Sequence, residues 1–371
     1  MSAALSEVVD ELRSLADRVG RQVQFMEVCG THTVAVFRHG IRTLLPASVR
    51  LISGPGCPVC VTAQRYIDAA GRLASRPEVI LATYGDMLRV PGRDGSLQTL
   101  RAAGADVRVI TSARLALELA RRNPRREVVF FAVGFETTAP ATAATLLEAQ
   151  RLGVPNLSML VAHKLIVPAM LQLLAPPADG SAAGVPLDGF LCPGHVSVII
   201  GSQAYRPIVE RHATGCVVAG FEPGQILRGL LHLLRQVARG RPALENVYSQ
   251  VVRPAGNPTA RALLARVFVE ADADWRGLGT IPASGLELAP HYRAFDALER
   301  FGLKLGEDHE EPGCRCGQVL TGSITPPDCT LFGRRCTPAT PIGPCMVSSE
   351  GTCAAYYRYA TQQPTAVECA P

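Results

Sequence analysis

Two residue classes are scarce: aromatics make up 5% of the 371 residues, and Asp, Glu, Lys and Arg together only 19%. Scarce aromatics argue against a nucleic-acid platform, which needs stacking rings interleaved with basic residues. Scarce charge argues against disorder, and 47% hydrophobic residues supply a buried core. The net charge of +5 has one dense basic run, Arg121-Arg122-Asn123-Pro124-Arg125-Arg126, which reads as a solvated loop. No stretch reaches transmembrane length. The first residues lack the basic and apolar regions of a signal peptide, and place Val8, Leu12, Leu15 and Val19 on one helical face. No G-x-x-x-x-G-K-[ST] and no complete G-x-G-x-x-G occurs, so nucleotide binding lacks a motif. The expectation is a cytoplasmic protein that contacts neither membrane nor nucleic acid.

What the chain does have is cysteine. Twelve thiols in a reducing compartment point to metal or redox chemistry rather than disulfides.

The length suits roughly two or three domains. Short apolar runs at 23–28, 49–53, 79–83, 107–111, 127–134, 156–161, 187–191 and 215–220 alternate with helical patterns such as 61–75, 112–122, 139–152 and 224–239. This alternation predicts an α/β fold: two parallel-sheet domains followed by a mixed, loop-rich C-terminal domain. Breaks near 112 and 245 predict units over 1–112, 113–245 and 246–371. Residues 258–271 and 291–301 read as helical. Between Glu311 and Cys353, six Cys, six Pro and six Gly leave little regular structure, so the segment needs its own cysteines as a staple.

The chemistry-bearing residues fall at predicted strand ends, where parallel sheets gather function. "MEVCGTHT" places Cys29 at a strand-to-helix turn, a position that lowers a thiol's pKa and suits a soft metal ligand. His32 would orient or protonate something bound to that sulfur, Gly30 would admit it closely, and Thr31 or Thr33 would cap the helix. "GPGCPVC" puts Cys57 and Cys60 at a helix start, as a dithiol–disulfide pair requires; half a zinc site competes with that reading. Cys314, Cys316, Cys329, Cys336, Cys345 and Cys353 form the strongest group. Their long spacings, without C-x-x-C, favour an iron–sulfur cluster over zinc. Glu136 in "GFETTAP", His195 in "CPGHVS" and Glu222 in "GFEPG" are candidates for one crevice, and His163-Lys164 has the same standing. The repeated Gly-Phe-Glu suggests two strands of one sheet with similar turns. Cys192, Cys216 and Cys369 carry no signal.

Taken together, "MEVCGTHT", "SGPGCPVC", "VGFETTAP", "HKLIVPAM", "PGHVSVIIGS" and "GRRCTPATPIGPCMVSSEGTCAAYYRY" resemble the HypD family of hydrogenase maturation factors, over residues 20 to 360. The resemblance implies a scaffold that works with the small chaperone HypC to assemble the Fe(CN)₂CO group of [NiFe]-hydrogenases. HypE, carrying a thiocyanate made with HypF, would supply the cyanide. It also implies that Cys29 holds the nascent iron with His32 beside it, and that Cys57 and Cys60 are redox-active. Cys314, Cys329, Cys336 and Cys353 would ligate a [4Fe-4S] cluster, with Cys316 and Cys345 as a second redox pair, an arrangement similar to ferredoxin:thioredoxin reductase. Cys316 stands two residues from Cys314 and competes for the same ligand position. The alternative function is a stand-alone thiol–disulfide oxidoreductase of that reductase kind.

Overall fold

Runs such as Val79-Ile80-Leu81-Ala82-Thr83 are apolar or small at every position, as a parallel strand covered on both faces must be, and all five residues are buried. The structure, a computed structural model, describes residues 3–175 and 185–360. Its strands are β1 (Val23–Glu27), β2 (Val49–Ser53), β3 (Val79–Thr83), β4 (Val107–Val109), β5 (Glu127–Gly134), β6 (Leu157–His163), β7 (Gly189–Pro193), β8 (Gly215–Ala219), β9 (Leu244–Asn246), β10 (Phe268–Trp275) and β11 (Gly279–Leu288). All eight predicted strands form within a few residues of their expected limits.

Two parallel sheets result, ordered β2-β1-β7-β8-β9 and β4-β3-β5-β6, with β10 and β11 as a separate antiparallel hairpin. The α/β architecture with a loop-rich, cysteine-bearing C-terminal region is therefore as expected. The sheets interleave along the chain: β1 and β2 share a sheet with β7, β8 and β9, while β3 and β4 share one with β5 and β6. The division expected near 112 does not follow this pairing. Alternation of strand and helix looks the same whichever strands are neighbours, so periodicity could not locate the crossover. For the same reason the two Gly-Phe-Glu turns end strands of different sheets, β5 and β8.

In the first sheet the strand order reverses between β1 and β7; in the second it reverses between β3 and β5. Such switch points open a crevice at the carboxyl ends of the strands. One face of the first sheet is covered by the helices Ala3–Val19 and Pro223–Ala238, which bury Leu12, Leu15, Ile226 and Leu230 against Phe25 and Val217. A second core joins the two sheets through Met26, Val28, Val59, Phe131, Phe190 and Trp275. The helix expected over 258–271 stops at Val267, and Phe268 begins β10. Pairing of Phe268 with Leu288 is non-local, and the composition of 268–271 alone is compatible with a helix.

Candidate metal and thiol site

β1 ends in Glu27, and the helix Gly30–Arg38 starts three residues later with Cys29 as its N-cap. Cys29 thus lies at the first sheet's switch point. Cys29 is buried, 8% exposed. Burial pushes its thiol up to about 12, Glu350 and Glu27 push in the same direction, and the N–H groups of His32 and Thr31 only partly oppose them. The lowering expected at a helix start is overridden by that burial. Neither threonine caps the helix either. Thr33 donates to Glu27 Oε1 at 2.5 Å, and Thr31 to Glu350 Oε1 at 2.7 Å.

Glu27 holds this turn together. Fully buried, it accepts the Cys29 N–H at 3.1 Å and the Thr33 hydroxyl, and it pairs with β2 opposite Ser53. Burial raises its carboxyl to about 7. A lone acid in the apolar run 23–28 is the sequence signal for it. Glu350, 319 residues from its partner Thr31, left no such signal.

His32 is fully buried, and Nε2 lies 2.9 Å from Gly220 O, so that nitrogen carries the proton. Nδ1 is buried without a protein partner, and burial lowers the ring to about 4. The neutral ring keeps a free lone pair. Its centroid is 4.7 Å from that of Phe221, and exposed His195 stacks on the same phenyl at 3.9 Å. His195 therefore belongs beside His32.

The "GPGCPVC" turn after β2 packs directly on the Cys29 turn. Gly30 N–H donates to Gly56 O at 3.1 Å, and a Cβ on Gly56 would lie 2.2 Å from Cys29 N. Cys57 caps the short helix Pro58–Val61, its sulfur accepting the Cys60 N–H at 3.3 Å. Cys60 is completely buried, its sulfur 4.0 Å from the carbonyl of Pro344, the residue before Cys345, and the thiols of Cys345 and Cys57 both act on its proton affinity. Beyond it, Cys345 Sγ and Cys316 Sγ stand 2.9 Å apart. The thiols form a continuous line from the Cys29 turn into the C-terminal region.

That line ends at a cavity lined by Cys314, Cys316, Cys329, Cys336, Cys345 and Cys353. No three His, Cys, Asp or Glu among the described residues converge as a single-ion cage would require; these thiols surround a space instead. A cluster of four irons takes one thiolate per iron, and the six cysteines around this space supply more soft donors than that demands. The backbone leaves room for it: a Cβ on Gly343 would sit 2.7 Å from Cys314 Sγ. Ile342 N–H points at Cys336 Sγ from 3.4 Å. Cys345 is the cavity thiol beside Cys60, and Cys316 pairs with Cys345.

Other candidates separate. Glu222 is the N-cap of the helix Pro223–Ala238, in a capping box with Gln225, so its role is structural. Glu136 lines a different cleft with Leu165 and Phe268 and does not share the crevice of His195. His163 bonds Thr142 at 3.0 Å in the core, and Lys164 is buried over the Tyr66 ring. Cys192 and Cys216 are fully buried in β7 and β8. Cys369 lies outside the described residues.

A sequence model described as HypD, Hydrogenase formation hypA family, matches residues 3–360. The chain is 50% identical over 366 residues to "Hydrogenase expression/formation protein HupD" of Azotobacter chroococcum mcd 1, covering 96% of each. It is 49% identical over 366 residues to "Hydrogenase maturation factor HypD" of Azotobacter vinelandii, again 96% of each. The protein of that name from Escherichia coli K12 is 45% identical over 362 residues, 96% of this chain and 95% of its own.

Proposed function

Since this chain belongs to the HypD family, we propose that it serves hydrogenase maturation as the scaffold on which an Fe(CN)₂CO group is built. The observation that carries this reading is the succession of thiols from Cys29's neighbour Cys57, through Cys60, whose sulfur lies 4.0 Å from Pro344 O beside Cys345, and Cys316, to the cysteine-lined cavity. Cys29 holds the incoming iron, which is the cargo, together with a cysteine of a HypC-type chaperone. Iron takes the place of the thiol proton, so the high proton affinity of buried Cys29 is overcome only when a metal arrives. His32, neutral and pinned through Nε2, offers its Nδ1 lone pair as the local proton acceptor. A HypE-type donor delivers cyanide to this crevice.

Cys314, Cys329, Cys336 and Cys353 hold a [4Fe-4S] cluster, leaving Cys316 and Cys345 as a dithiol. When bound, such a cluster supplies electrons one at a time. The Cys316–Cys345 and Cys57–Cys60 pairs each release two electrons and two protons on closing to a disulfide, and thiol exchange passes reducing equivalents between them. Burial of Cys57 and Cys60, 4% and 0% exposed, keeps bulky disulfides out and disfavours a stand-alone oxidoreductase.

Anaerobically purified protein should hold about four irons and matching acid-labile sulfide per chain; stoichiometric zinc without sulfide contradicts the cluster. Cys29→Ala should keep that iron but lose the infrared bands of iron-bound CN and CO from the complex with the HypC-type partner. His32→Ala should weaken the bands less. Bands at full intensity in Cys29→Ala place the cargo elsewhere.

A further inference from the structure

Glu136 is 3% exposed, and while Oε1 accepts the Ile166 N–H at 3.0 Å, Oε2 is buried with no hydrogen-bond partner. A carboxylate oxygen in that condition costs stability unless something donates to it. Glu136 lines a cleft of about 420 Å³ whose other walls include Phe268, Leu286, Glu270 and Arg261, a volume within the range of small-molecule sites. None of the thiols discussed above lines it.

The cleft is built by an irregularity in the β10–β11 hairpin. Ala271 pairs with Gly285 and Ala273 with Ile281, so Pro282, Ala283 and Ser284 stand opposite Asp272 alone. Ala283 adopts φ +47°, a left-handed conformation unfavourable for a residue with a Cβ, and it lines the cleft. Asp272 Oδ1 accepts the Ala283 N–H at 3.0 Å and holds the bulge. Ser284 O accepts the Leu165 N–H at 2.8 Å, which fixes the segment that presents Ile166 to Glu136. Bulges with strained residues concentrate where a binding surface must be re-aimed.

We propose that this cleft binds a small primary ammonium compound, with the charged head on Glu136 and an apolar body against Phe268 and Leu286. Charge selects the head group. Burial raises the Glu136 carboxyl to about 7 and Glu270 on the same cleft adds to the rise, so an arriving cation favours the ionised form and an anion does not. The lone arginine is engaged at the rim, where Arg261 Nη1 donates to Ala255 O at 2.9 Å. The shape argues against a bare metal ion: a hard cation needs about six oxygen ligands, and most of this lining is hydrocarbon. This inference is independent of the scaffold reading.

The test is calorimetric titration of the intact, cluster-loaded protein with n-hexylammonium, 1-hexanol and hexanoate. Hexylammonium should bind at least about tenfold more tightly than either congener, the worth of one charge-assisted hydrogen bond in a dry site. Glu136→Gln should erase that preference, and Glu118→Gln, outside the cleft, should preserve it. Should Glu136→Gln not fold, Glu270→Gln on the exposed rim should still weaken hexylammonium about threefold. No preference for the ammonium over hexanol overturns the proposal. So does unchanged binding by Glu136→Gln or, in its absence, by Glu270→Gln.

Discussion

Lys164 is an ammonium-bearing side chain in a place that resists charge. It is 1% exposed, its Nζ 5.2 Å from the Tyr66 ring centroid. Burial lowers it to about 7, Arg65 adds to the lowering, and Asp308 opposes it weakly. In the unfolded chain the group titrates near 10.5. Between those values the unfolded state binds more protons, so this group's contribution to stability rises with pH across the interval and is lost as pH falls through 7. Lys164→Met should therefore be more stable than the parent at pH 7, by ~2 kcal/mol or more. The advantage should shrink toward pH 10.5, and urea midpoints at pH 7 and 10 would show it. A variant no more stable than the parent at pH 7 refutes the assignment. Cys29 shows the same competition with the opposite consequence: a helix start favours a thiolate, but burial with two carboxylates nearby wins. Local position predicts the direction of a shift only where solvent is present.

Among the elements, the β1 and β2 turns matter most because they touch backbone to backbone. A Cβ on Gly56 would meet Val28 C at 2.3 Å and Cys29 Cα at 2.4 Å, atoms that no rotamer change can move. Gly56→Ala should displace the Cys29 turn and cost ~3 kcal/mol. At Gly104, where an added Cβ meets nothing within 4 Å, the same change carries only the strain of its φ of +105°, ~1 kcal/mol. Chemical denaturation of the two variants separates the effects. Equal losses would mean that close approach of the turns is unimportant. The glycine stands in "GPGCPVC", but what it approaches depends on the parallel pairing of β1 with β2.

On the scale of the whole molecule, the C-terminal loop ties the two sheets to the cysteine cavity. Asp86, just past β3, accepts from Ser348 Oγ at 3.0 Å and Ser349 N at 3.1 Å. Glu350 takes the Thr31 hydroxyl beside Cys29. The loop is thus held at the switch points of both sheets. Asp86→Ala removes one anchor and should speed amide exchange over residues 344–355 roughly tenfold, as loss of about one charged hydrogen bond implies. Exchange in β5 and β8 should stay as in the parent. Equal acceleration in the sheets would mean that the loop is part of the global fold rather than a separable strap.

Strand positions, the α/β class and the thiols worth attention were legible in the sequence, because they follow from local periodicity and from residue types that carry their own chemistry. Cys29 at a strand end and six cysteines in a Pro- and Gly-rich segment are recognisable without coordinates. Tertiary structure alone decided that β1 lies between β2 and β7, that Cys60 meets Cys345, and that Glu350 closes over Thr31. It also decided that Glu136 lines a cleft while Glu222 caps a helix, although both follow the same Gly-Phe. Such contacts join residues far apart in the chain, and burial sets their proton affinities. Neither the neighbours nor the depth of a side chain is written in the residues beside it.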